Sequence, residues 1–311
     1  AGRNTTEAVR NTVKGEALGW KAMAYFYLVS IWGNVPIIHN NSAEIATGNY
    51  NSVYKATTKS LYDYIIMTLE QAIQWLPTKN KEGRSERYTA YGLLAKVYLT
   101  KSGYESGNSR NESDLSKAAE YALKVINESG RELVTPFEEV FKLEGNISDE
   151  SLLSWRWIYT DAWTASNPLQ AELALAGFDG TANWGDWTGP SVDLQDAFGE
   201  DALKITPQSR DKRRKVTMMR PGDHYDYFWR DQGGFDYTDY CKNVLNAFNS
   251  STGAKYAKHI AGSNSDHVAV MGHGLVNMKN SLATHILRLG DVYLIYAEAK
   301  LGNAASTNDS K

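Results

Sequence analysis

Tyr88-Thr-Ala-Tyr-Gly-Leu-Leu-Ala-Lys-Val-Tyr-Leu99 and Asp114-Leu-Ser-Lys-Ala-Ala-Glu-Tyr-Ala-Leu-Lys-Val-Ile126 are the two stretches that decide how this chain folds. In the first, Ala90, Leu94, Val97 and Tyr98 recur at steps of three and four and share one face of a helix over 85–100. In the second, Leu115, Ala118, Ala122, Val125 and Ile126 do the same for a helix over 113–130. Lys101-Ser-Gly103 suits a helix C-terminus, and 105–112 reads as a polar linker. Small residues at the crossing let the two backbones approach, so the minimal reading is an antiparallel helix hairpin.

Outward from this pair, residues 7–32 carry Ala17, Trp20, Ala24, Leu28 and Ile31 on one helical face, and Gly33-Asn34 with Pro36 ends the helix. A further helix is expected over 53–76, with Ser52 as N-cap, the stripe Leu61, Ile65, Leu69, Ala72 and Leu76, and Pro77 as its stop. Periodicity fades over 131–280, where Gly, Asn, Asp and Trp become common. Trp155, Trp157 and Tyr159 alternate as on one face of a strand, and 180–190 reads as a loop. Helical character returns over 281–300 through Ile286, Leu289, Val292, Tyr293, Tyr296 and Ala297.

The expected fold is therefore mainly α. A helical scaffold over 1–130 carries a long loop-rich insertion over 131–280 with a few short strands, and a return helix in 281–311 packs on the scaffold. Together they form one composite domain.

Composition narrows the function. The 311 residues hold 33 Lys+Arg and 36 Asp+Glu, a net charge of −3, without the basic surplus of a phosphate-neutralising nucleic-acid binder. With 42% hydrophobic and 22% charged residues, the chain is globular rather than disordered. The single Cys241 rules out an intrachain disulfide and a cysteine zinc site. No stretch approaches the roughly 20 apolar residues of a membrane-spanning helix. The 9 Trp and 19 Tyr point to ligand surfaces made of flat rings. Both polar ends read as cuts inside a longer protein.

Four segments carry a resemblance. Ala95-Lys-Val-Tyr98, Gly103-Tyr104 and Ala118-Ala-Glu-Tyr-Ala122 resemble a tetratricopeptide unit, with a loose register. Gly15-Glu-Ala17, Ala22-Met-Ala-Tyr-Phe-Tyr-Leu28 and Trp32-Gly-Asn-Val-Pro36, then 88–99, 114–126 and Arg288-Leu-Gly-Asp-Val-Tyr-Leu-Ile-Tyr-Ala-Glu-Ala299, are together similar to the SusD/RagB family. Lys21 and Trp32 stand where that family usually has Arg and Phe or Tyr.

The resemblance implies tetratricopeptide-like helix pairs, no cofactor, and a non-catalytic lipoprotein at the bacterial outer membrane. Such a protein holds oligosaccharide for a SusC-like TonB-dependent transporter, and its lipid anchor and further helices lie outside this chain. Peptide capture of the RagB type, or a purely protein-binding tetratricopeptide scaffold, are the rival expectations.

The loop Gly180-Thr-Ala-Asn-Trp-Gly-Asp-Trp-Thr-Gly-Pro190 holds the main candidates, Trp184 and Trp187 with Asn183 and Asp186. The C–H face of a pyranose is flat and apolar, and an indole offers a matching surface. Asn and Asp pair with hydroxyls, and Gly permits close approach. The resemblance implies a stacking Trp in this loop without saying which. Core anchoring stays open for each, and at least one is expected to contact ligand. Trp163 and Asp161, in a polar loop, are secondary candidates, whereas Trp155 and Trp157 are read as core residues.

His267 and His273 show no zinc-ligand spacing. Asp223, Asp226, Asp231, Asp236 and Asp239 lack a calcium-loop pattern, leaving room for a structural calcium ion without indicating one. No G-x-S-x-G, P-loop or HExxH motif is present, and nothing in the sequence marks a glycosidase-type pair of carboxylates.

Overall fold

The computed structural model describes residues 5–48, 52–80, 83–104, 107–158, 166–175, 177–178, 188–204, 206–243, 252–275 and 279–304. The chain divides into two compact units, one made of Ala1–Leu133, Glu150–Leu153 and Leu287–Lys311, the other of Val134–Asp149 and Ser154–Ile286.

The first unit is helical: α1 (Glu7–Trp32), α2 (Asn41–Thr47), α3 (Thr58–Trp75), α4 (Arg87–Ser102), α5 (Glu112–Glu128) and α11 (Leu289–Leu301). Side chains at the caps start four of them, Asn40 accepting the Ala43 N–H at the head of α2. Thr6 accepts the Val9 N–H, Thr57 that of Ser60 and Asn111 that of Asp114. Gly33 ends α1 at φ 67°, returning its N–H to the Val29 carbonyl at 3.0 Å. The helices pack in sequence, α1 on α3, α3 on α4, α4 on α5, and α11 on both α4 and α5. Leu61, Ile65, Leu69, Leu94, Val97, Ala118, Val125 and Val292 form the core between them. The chain is mainly α, with tetratricopeptide-like helix pairs, a loop-rich remainder and a few short strands.

Three segments differ from the sequence expectation. The third helix starts at Thr58 rather than near 53, because Asn34 Oδ1 accepts both the N–H and the hydroxyl of Thr58 at 2.8 Å and sets the entry from α1. A short helix, α2, precedes it. Most importantly, 281–300 is not one helix: Thr284–Arg288 is a strand (β6) paired with β1 (Ser151–Trp155), and the helix begins at Leu289. Arg288 fixes that corner by donating to Glu150 and to Asp291, each at 2.8 Å. The polar pair of the recognised Arg-Leu-Gly-Asp motif is thus a helix-start device.

The second unit has little regular structure. It holds α6 (Leu169–Leu173), α7 (Val192–Ala197), α8 (Lys212–Thr217), α9 (Tyr237–Asn243) and α10 (Asn264–Met271). Among its described residues, two small antiparallel ladders are β2 (Met218–Met219) on β5 (Lys255–Tyr256) and β3 (His224–Tyr225) on β4 (Phe235–Asp236). Buried amide side chains replace the missing ladders. Gln170 accepts the Ala261 N–H at 2.7 Å and donates to the Gly262 carbonyl at 2.8 Å, and Asn167 donates to the Leu282 carbonyl. Loop backbone taken out of water needs such partners.

Candidate ligand-binding site

The second unit is organised by aromatic rings. Phe178, Tyr225, Phe228, Phe235, Tyr237 and Tyr240 are buried together with Cys241, and Tyr227 and Trp229 pack against them. Phe178 meets Phe228 at 5.4 Å and Phe235 at 4.8 Å between ring centroids, both edge to face. Cys241 is a buried thiol of this core. Burial pushes the Tyr225 phenol well up, and its hydroxyl donates to the Lys215 carbonyl at 2.9 Å.

Beside the rings lies a buried ionic cluster. Arg214 pairs with Asp223 and, at 2.7 Å, with Glu200. Burial works against the Arg214 charge, but the hydrogen bond and charge of Asp223 outweigh it and raise the pKa. Glu200 also accepts the Gln208 N–H at 2.9 Å. These ion pairs tie α8 to the chain that follows α7.

Of the sequence-derived candidates, Trp184, Trp187, Asn183, Asp186, Trp163 and Asp161 all lie outside the described residues. What is described is the chain that flanks them. On the entry side, the Phe178 carbonyl accepts the Trp229 indole N–H at 2.8 Å. On the exit side, the carbonyls of Thr188, Gly189 and Pro190 accept in turn from Lys255 Nζ at 3.0 Å, the Tyr256 hydroxyl at 3.3 Å and the Thr252 hydroxyl at 2.8 Å. Nothing local in the sequence marks Lys255, Tyr256 or Thr252 for this role. Only Gly233-Gly234, just after Trp229, hints at a special turn.

Trp155 is 46% exposed, so it is not a core residue. The strand that holds it stops there, and the next residues run irregularly, with Trp157 giving its indole N–H to the Thr284 hydroxyl at 3.0 Å. Tyr159 lies outside the described residues.

His267 is buried. Its Nδ1 lies 2.7 Å from the His273 carbonyl and its Nε2 accepts the Ser281 N–H at 3.1 Å, so both nitrogens serve the backbone. The five aspartates do not converge either: Asp223 is held by Arg214, Asp226 pairs with His224, and Asp236 accepts the Asp239 N–H. Among the described residues no group of three or more His, Cys, Asp or Glu is placed to hold a metal ion. Also among them, no helix is long and apolar enough to cross a membrane.

In the helical unit, a cleft with a cavity volume of about 10 Å³ is lined by Gly19, Trp20, Leu76, Ser85, Thr89, Ala90, Leu93 and Leu153. That is about the space of a single water molecule, too little for a sugar ring. Its Thr89 hydroxyl is already committed to the Leu152 carbonyl at 2.8 Å.

Residues 149–310, more than half of the chain, match the family model described as "SusD family". The chain belongs to the SusD family. Residues 2–99 match a second model, described as "Starch-binding associating with outer membrane". A SusD-like protein of Bacteroides ovatus is 33% identical over an alignment of 312 positions that covers 99% of this chain and 52% of that protein. A crystal structure with xylogluco-oligosaccharide is 31% identical with a TM-score of 0.83, matched over 98% of this chain and 57% of its own. A laminarin-binding SusD-like protein, 20% identical with a TM-score of 0.68 over 96% of this chain and 61% of its own, shares the family fold. The chain thus spans about half the length of the curated SusD relative from B. ovatus.

Proposed function

We propose that this chain is part of a non-catalytic protein that binds oligosaccharide or polysaccharide at the bacterial cell surface. The observation that carries this reading is the match, 31% identical and with a TM-score of 0.83 over 98% of the chain, to a structure with xylogluco-oligosaccharide. The aromatic wealth of the chain and the Gly-, Asn- and Trp-rich loop support it independently, since a sugar is recognised by flat apolar rings flanked by hydroxyl-bonding groups. Trp184 or Trp187 would stack on a pyranose, Asn183 and Asp186 would pair with hydroxyls, and Trp163 with Asp161 would add a second contact. Family membership further supports a lipid-anchored place at the outer membrane and delivery of the glycan to a SusC-like TonB-dependent transporter.

The test is calorimetric titration of the protein with xylogluco-oligosaccharide, laminarihexaose and a mixed peptide pool, followed by analysis of the sugars for cleavage. Saturable binding of a glycan, with the glycan recovered intact, is the expected result. Binding of peptide alone, or steady release of shorter sugars abolished by replacing one acid, would overturn the reading.

A further inference from the structure

Among the described residues, two that are not glycine have a positive φ, Trp229 at 53° and His259 at 73°. Trp229 is accounted for by Asp266, whose buried carboxylate accepts its N–H at 2.7 Å. Among the described residues nothing comparable accounts for His259. It is the third residue of a four-residue turn, closed by the Ile260 N–H on the Ala257 carbonyl at 3.3 Å, and a positive φ at that place favours glycine. The turn is anchored from its other side, where the Thr217 carbonyl accepts the N–H groups of Ala257 at 3.1 Å and Lys258 at 3.4 Å. These bonds are made by backbone, so a glycine at 259 would keep them. A residue with a Cβ is strained there, and such strain gathers where proteins bind or react.

The imidazole carried by this strained backbone is half-buried and makes no hydrogen bond to any described residue. Its surroundings are basic. Lys258 precedes it and holds its ammonium over the Phe141 ring, 4.3 Å from the centroid. His285 meets the same ring edge to face at 6.1 Å, and its Nε2–H donates to the Val140 carbonyl at 2.9 Å. Burial is the main influence lowering the His259 pKa, and the charges of Lys258 and His285 both add to it. An anion beside the ring would oppose those two charges. An imidazole N–H and an ammonium already held by a cation–π contact are both donors, suited to the oxygens of a carboxylate.

We propose that His259 and Lys258, in the basic field of His285, bind the carboxylate of a uronic-acid residue in the glycan. This rests on the glycan-binding reading above and narrows its ligand to sugars that carry an acid.

The test compares, by calorimetric titration, two xylo-oligosaccharides that differ only in one glucuronic acid branch. A second measurement follows the His259 imidazole C–H signals by NMR as glucuronic acid, glucose or acetate is added. The parent should bind the acidic oligosaccharide about tenfold more tightly, the scale of one charge-assisted hydrogen bond. Glucuronic acid should shift the His259 signals at concentrations where glucose and acetate do not. His259→Gly should erase the preference, leave affinity for the neutral oligosaccharide unchanged, and raise the urea midpoint, because the strain leaves with the side chain. Lys258→Met should erase the preference as well, and serves if the glycine variant fails to fold.

Equal affinity for the two oligosaccharides, or a preference that survives both substitutions, overturns the inference. So does a His259→Gly midpoint below that of the parent, since the ring is then held there by the fold. Acetate acting as strongly as glucuronic acid overturns the assignment to a sugar. If the parent binds neither oligosaccharide, the glycan-binding reading falls. The NMR titration still decides the site in that case: shifted His259 signals with glucuronic acid uphold it, and unmoved signals overturn it.

Discussion

The Asp266 carboxylate accepts the backbone N–H of Trp229 at 2.7 Å, and this bond keeps a tryptophan in a conformation that favours glycine. With the N–H groups of Arg230 and Ser263 and the Ser263 hydroxyl, it satisfies four donors from two separate parts of the chain. Asp266→Asn keeps one oxygen and turns an amide NH2, a donor, toward groups that need acceptors. Hydrogen bonds to a charged group are worth about 1.5–3 kcal/mol each in net terms. The variant should lose about 2–4 kcal/mol of stability in urea unfolding, and an unchanged midpoint would contradict the role given to this carboxylate.

Two glycines of the helical unit should respond in opposite ways to alanine. A Cβ at Gly92 would lie 2.7 Å from Leu287 Cδ2, 3.5 Å from Val292 Cγ2 and 3.6 Å from Leu152 Cδ1, all in buried residues. Gly92→Ala should destabilise by about 1–3 kcal/mol through overpacking. Gly19, in the middle of α1, has nothing within 4 Å of its would-be Cβ. Gly19→Ala should stabilise by about 0.4–1 kcal/mol, because alanine loses less backbone freedom in a helix. Thermal melts of both variants decide the matter, and matching shifts would contradict this packing.

Stability should fall as solutions are made mildly acidic, and His267 is a named cause. Burial is the main influence lowering its pKa, and the charge of His273 adds to it, while the bond to the His273 carbonyl opposes both. The folded protein therefore binds fewer protons than the unfolded chain below the ordinary histidine value of about 6.5. This contribution is complete above that pH and is lost as pH falls from there toward the folded value, at no more than about 1.4 kcal/mol per pH unit. His259, also lowered chiefly by burial, acts in the same direction. Urea midpoints at pH 7.5, 6.5 and 5.5 should decline for the parent and decline less for His267→Asn. Equal slopes would show that His267 does not contribute.

How far the fold was legible depends on where the determinants of each segment lie. The first helix spans Glu7–Trp32 as its periodicity requires, because its cap at Thr6 and its breaker at Gly33 are both local. Thr58 starts its helix through Asn34, a partner 24 positions away that no window of sequence contains. Ile286 and Leu287 suit a helix or a strand equally, and pairing with β1 decides for the strand over Thr284–Arg288. In the candidate site, the loop with Trp184 and Trp187 announces itself by composition. Lys255 and Asp266 do not, since their meaning comes from the carbonyls and amides that the fold brings to them.

The stacking assignment itself yields the sharpest contrast. If Trp184 or Trp187 is a platform for a sugar ring, its replacement by alanine removes a contact made only with ligand. The loss combines the covered apolar area with roughly 0.5–1.5 kcal/mol of face contact, the range found for aromatic pairs. Affinity for the bound glycan should fall about tenfold or more, since about 1.4 kcal/mol is a factor of ten. The melting temperature should hardly change, because a ring that serves the ligand adds little to the core. An anchoring tryptophan gives the reverse: truncation of a buried indole costs about 3–5 kcal/mol of stability, and whatever protein still folds binds as before. Melting temperature and glycan affinity measured together on Trp184→Ala and Trp187→Ala therefore separate platform from anchor for each ring. If both variants melt far earlier and their folded fractions bind normally, the stacking surface lies elsewhere in the chain.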